Sequence, residues 1–135
     1  MSFDRDTILT PLAITVIIDH KVKPVEKTAF VEQAQGLLDF FGHDVMGSNA
    51  LLDWFASARE RLEDQLWEKG GNTLVLRTLA AFKDDKDCEA VYDAMVTISV
   101  ADEKFVPEES RLIKSAASIY GYDLPPIRVD REDDA

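Results

Sequence analysis

The chain has 135 residues, 46% of them apolar, a single cysteine and a formal charge of −11. That size and apolar content fit one domain with its own hydrophobic core, and one thiol, Cys88, excludes an internal disulfide framework or a cysteine zinc cluster and suits a reducing compartment. The acidic balance argues against nonspecific nucleic-acid binding, which draws on lysine and arginine to displace counterions, and suits solubility, cations or basic partner surfaces.

Residues Met1 to Asp6 carry both charge signs and no signal-peptide cleavage pattern follows them, so a cytoplasmic location is expected. The uncharged run from Thr7 to Ile18 is short of the roughly 20 residues a membrane span needs. It predicts instead a first helix, capped near Asp6 and ending about Asp19, apolar nearly all round and therefore inside a bundle. Pro11 is expected to be tolerated because first-turn amides lack an intrahelical partner.

Lys21 to Lys23 form a turn and Pro24 opens a second helix, with Phe30, Ala34, Leu37, Leu38 and Phe41 as its apolar stripe. Gly42 ends it. After a connector to Ser48, a third helix, capped by Ser48 or Asn49, buries Leu51, Phe55, Ala58, Leu62 and Leu66, with Trp54 and Trp67 bordering that face. Gly70 and Gly71 break it, and Asn72 caps a short, largely buried helix through Leu74, Val75, Leu76, Leu79 and Phe82.

A turn at Lys83 to Asp87 places carboxylates at the positive end of the next helix dipole. Val91, Ala94, Met95 and Ile98 give that helix its core side. Pro107 opens a last helix with Leu112, Ile113, Ala116 and Ile119 or Tyr120 inward, Gly121 ends it, and Pro125 and Pro126 prevent continuation. The expectation is an all-α domain over residues 1–126, six to seven helices in one bundle, followed by an acidic, solvated tail over residues 127–135.

Two octets share the pattern Asp-x-Lys-apolar-x-Pro-x-Glu: Asp19 to Glu26, and Asp102 to Glu109. An apolar run precedes each and an amphipathic segment follows, which predicts two helical hairpins related as an internal repeat. Much of the octet has a structural role: Val22 and Phe105 fill the space between paired helices, and Glu26 and Glu109, two residues past the prolines, can cap free amides. The aspartates face the negative end of a helix dipole, a cost of a few tenths to about 1 kcal/mol. Either an Asx-type turn bond or a divalent cation held by Asp19 and Glu26, or by Asp102 and Glu109, would offset it. The spacing is not that of an EF-hand, whose ligands spread over about 12 residues around a central glycine.

Over Ile8 to Tyr122 the chain resembles the tellurite-resistance TerB-like family, through Ile17 to Glu26 and Val100 to Glu109: an apolar helix, an acidic turn and a Pro-x-Glu helix start. The glycine that commonly follows the aspartate in that family is His20 in one copy and Glu103 in the other. The resemblance implies an all-helical domain with pseudo-twofold symmetry and no established catalytic chemistry. It also implies acidic turn residues that bind a divalent cation (here Asp19, Glu26, Asp102 and Glu109), a link to tellurite and chemical-stress resistance, and protein partners in membrane-associated complexes.

Two other classes compete. A metal-independent interaction module would use the acidic surface, an exposed Trp54 or Trp67, or the tail. An HD-like metal phosphohydrolase would use His20, His43-Asp44 and Asp102, although no catalytic lysine motif or further histidine accompanies them. Cys88, at a helix start, reads as a buried small residue rather than a nucleophile.

Overall fold

The computed structural model describes residues 3–18, 23–67, 71–101 and 107–121; of the side chains within these, those of 71, 72 and 107–109 fall outside the description. Six α-helices make up the described chain: α1 (Arg5–Ile17), α2 (Pro24–Phe40), α3 (Ser48–Trp67), α4 (Gly71–Ala80), α5 (Asp85–Ser99) and α6 (Pro107–Tyr120). No strand occurs among the described residues. The all-α expectation therefore holds, with six helices among the described residues.

The first helix starts earlier than its sequence suggests. Asp4, not Asp6, is the cap: its Oδ1 accepts the Thr7 amide at 2.7 Å, and hydrogen bonding to Thr7 holds the Asp4 carboxyl below the usual carboxylate range. Asp6 is released for tertiary use and accepts the Trp54 indole N–H at 2.8 Å. The earlier start also leaves Pro11 in the second turn rather than the first, so its missing N–H is not one of the free terminal donors. Packing is what holds the helix there, because Ile8, Leu9, Leu12, Ala13, Val16 and Ile17 are all fully buried. Thr15, also buried, satisfies its hydroxyl by donating to the Pro11 carbonyl at 2.8 Å.

Apolar all round, α1 is the hub: α2, α3, α4 and α5 all pack on it. The α2 helix also meets α3 and α5, and α6 lies against α4 and α5. The stripe Phe30, Ala34, Leu37 and Leu38 of α2 is buried, and Phe41 is half-buried as the stripe leaves the helix. Gly42 then stops α2 in the left-handed region at φ +81. Its amide donates to Asp39 O at 3.0 Å and the His43 amide to Leu38 O at 2.8 Å, a Schellman closure that needs positive φ at that position.

The five apolar residues expected to be the inner face of α3 are all buried, as are Val91, Ala94, Met95 and Ile98 of α5 and Leu112, Ile113 and Ala116 of α6. One end of the bundle closes on three rings brought from distant points of the chain. Phe3 meets Phe82 with centroids 4.9 Å apart and Phe41 edge-on at 5.5 Å, and Phe41 lies 5.7 Å from Phe82. The short helix α4 departs from the expectation of a largely buried element. Leu74 and Leu79 are buried, but Val75 is half-exposed and Leu76 is 53% exposed, because α4 packs on α1, α3 and α6 with only part of its circumference.

Candidate functional site

Of the four candidate ligand acids in the repeated octets, Asp19, Glu26, Asp102 and Glu109, Glu26 is the one whose side chain the structure describes. Pro24 opens α2, as the fixed φ of proline favours, which puts Glu26 at the third helical position. Its Oε1 there accepts the Lys23 amide at 3.3 Å, the carboxylate half of a capping box. The reciprocal half is chemically closed to Lys23, whose ammonium only donates. Glu26 is 1% exposed, unusual for a carboxylate. Asp19 and Asp102 lie outside the described residues, and Glu109 falls in the first turn of α6 with its side chain outside them. Val22 and Phe105 also lie outside the described residues, and so do residues 122–135 with the acidic stretch.

The other residues singled out by sequence divide clearly. Trp54 belongs to the core side, stacked on Phe30 with centroids 6.2 Å apart and planes 13° from parallel. Trp67 is 43% exposed, where α3 ends. His43 binds the Phe3 carbonyl through Nε2 and so joins the connector after α2 to the start of the chain, while His20 and Asp102 are outside the described residues. Among the described residues no three His, Cys, Asp or Glu side chains gather as a metal centre.

Cys88 is a buried free thiol whose Sγ lies 3.2 Å from the Phe82 carbonyl oxygen. Burial, reinforced by Asp85, Asp87 and Asp84, pushes its pKa up. A thiol held protonated and covered is a poor nucleophile, so a disulfide reagent should modify Cys88 in the native protein at less than about a tenth of its rate in denaturant. Comparable rates, followed by absorbance of the released thiolate, would contradict this environment.

Two surface features were not anticipated. A groove of about 670 Å³ runs between α4 and α6, with Val75 and Leu76 on one side and Arg111, Leu112, Ser115, Ser118 and Ile119 on the other. Ile18 and Trp67 contribute further apolar surface, and Lys114 joins Arg111 as the charged lining. Tyr120 ties the two helices together by donating to Leu79 O at 2.9 Å. A smaller cleft of about 320 Å³ between α1, α3 and α4 has opposed charges on its walls, Asp4 and Asp6 against Arg61 and Arg77. The signal for the groove was present in the sequence as Leu76 and Trp67, but helical spacing alone assigns such residues to a core.

No family model, curated protein or solved structure matches this chain. No helix among the described residues is long and apolar enough to cross a membrane.

Proposed function

We propose that the chain is a non-enzymatic, TerB-like helical adaptor whose acidic inter-helix turns hold a divalent cation. Tellurite or another chemical stress is its setting, and protein partners at the inner face of a membrane are its context. The two octets and their resemblance to that family motivate the reading. In it, the α1–α2 and α5–α6 hairpins are the internal repeat. The observation that carries the cation is Glu26, a carboxylate kept 1% exposed at the head of α2, seven residues after Asp19 in the same octet. Carboxylate and carbonyl oxygens are hard donors, so calcium, magnesium or manganese fits better than zinc. With few ligands per turn, the expected Kd is about 10⁻⁴ to 10⁻³ M.

Calorimetric titration of the metal-stripped protein with these four ions tests it, repeated on a folded Asp19→Ala/Asp102→Ala variant. Saturable binding that the variant loses supports the turns as cation sites. No binding, or binding that the variant retains, leaves these aspartates as turn supports.

A second reading, a metal-independent interaction module, is favoured by the α4/α6 groove. An apolar floor with Arg111 and Lys114 in its lining, on a chain of charge −11, fits an apolar segment flanked by carboxylates.

A further inference from the structure

The cleft between α1, α3 and α4 holds four charges that do not neutralise one another. Arg61 comes from α3 and Arg77 from α4, while Asp4 and Asp6 come from the start of α1. Neither guanidinium has a salt-bridge or hydrogen-bond partner among the described residues. Arg59, two residues before Arg61 on α3, does close on Glu63, at 3.3 Å. Arg77 has no such neighbour on its own helix, because α4 carries no Asp or Glu. The two carboxylates are fixed by other bonds: Asp4 Oδ1 accepts the Thr7 amide at 2.7 Å, and Asp6 Oδ1 accepts the Trp54 indole N–H at 2.8 Å. A carboxylate offers about four lone-pair sites, so each keeps capacity for a further donor.

The two signs together restrict what the cleft can take. A metal cation would sit against two guanidiniums, and a plain anion would meet two carboxylates on a chain of charge −11. A molecule of zero net charge with one group of each sign meets neither penalty. A guanidinium fork binds a carboxylate through paired N–H···O bonds, and a carboxylate is the ordinary partner of an ammonium. Axes of packed helices lie about 8–10 Å apart, so charges carried on different helices favour a ligand with its charged groups at opposite ends. Leu62, Leu74 and Ala81 also line the cleft and suit a methylene chain between those ends. A volume of about 320 Å³ is at the small end of the roughly 300–1,000 Å³ of ligand sites, which suits a small molecule.

We propose that this cleft binds a small ω-amino carboxylate, with its carboxylate on Arg61 and Arg77 and its ammonium on Asp4 and Asp6. The site is separate from the cation reading and does not depend on it. All four charged residues are solvent-exposed, so water and salt screen the contacts and the affinity is modest. For 4-aminobutyrate, with about seven heavy atoms, the expected Kd is about 1 mM.

Trp54 reports on the site, because its indole N–H is bonded to Asp6. Its indole resonance is followed in an NMR titration with 4-aminobutyrate, and Trp67→Phe assigns the two indole signals. The Trp54 signal should shift saturably with a midpoint of about 1 mM, and the Trp67 signal should stay in place. Butyrate and butylammonium, each with half of the charge pattern, should need at least about tenfold more, as should glycine, whose charges share one carbon. Arg77→Gln should weaken binding about tenfold, through loss of a charge-assisted contact. Asp6→Asn keeps an acceptor for the indole and removes the charge, so it should also weaken the response about tenfold. The Asp19→Ala/Asp102→Ala variant should bind as the parent does. No saturable shift up to about 20 mM, at a Kd expected near 1 mM, would overturn the proposal. So would an equal response to butyrate, butylammonium or glycine, or a response that survives in a folded Arg61→Gln/Arg77→Gln variant.

Discussion

Replacing Phe30 by alanine should cost about 3–5 kcal/mol of folding free energy, a large share of the roughly 5–15 kcal/mol that holds a domain together. Phe30 is fully buried and meets rings on two sides: Trp54 nearly parallel at 6.2 Å, and Phe55 at 5.3 Å and 53°. Both partners are on α3, so this one side chain fastens α3 to α2. Alanine would remove the burial of the ring and both aromatic contacts, and would leave a void that helices anchored on α1 cannot fully close. In urea, with a slope of about 2 kcal/mol per molar, the midpoint should fall by roughly 1.5–2.5 M. Phe30→Leu, which keeps much of the volume, should lose less than half as much. A midpoint shift for Phe30→Ala within about 0.5 M would mean that α3 is held by other contacts.

The helices and their inner faces were legible because burial leaves a periodic record. Leu51, Phe55, Ala58, Leu62 and Leu66 repeat at helical spacing and all five are buried. Boundaries were less legible. Asp4 and Asp6 are equally good caps by residue type, and the choice went to Asp4 because Asp6 has a tertiary partner 48 residues away, the Trp54 indole. The same limit applies to Trp67 and Leu76. Each fits an apolar pattern, and whether it is covered depends on which neighbours reach it, a property of packing that the local sequence does not carry. The capping role of Glu26 could be read from Pro24 two residues earlier. Its near-complete burial could not, since that follows from how α2 sits on α1 and α5.

That burial makes Glu26 the position where a cap and a cation ligand can be told apart. As a cap, the side chain needs only an oxygen acceptor for the Lys23 amide, which glutamine keeps and alanine loses. Glu26→Ala should then destabilise by about 1–2 kcal/mol, through the lost acceptor and the space left at a buried site. Glu26→Gln should stay within roughly 0.5 kcal/mol of the parent, since it exchanges a buried charge for a neutral amide of nearly the same shape. A cation ligand needs the charge. If the α1–α2 turn holds a divalent ion, millimolar calcium or manganese should raise the melting temperature of the parent and leave Glu26→Gln unmoved, although the two start with similar stability. A metal shift of equal size in both would remove Glu26 from the site, whereas no shift in either would leave it as a cap alone. Alanine cannot make this distinction, because it removes both roles at once; the glutamine variant separates charge from acceptor.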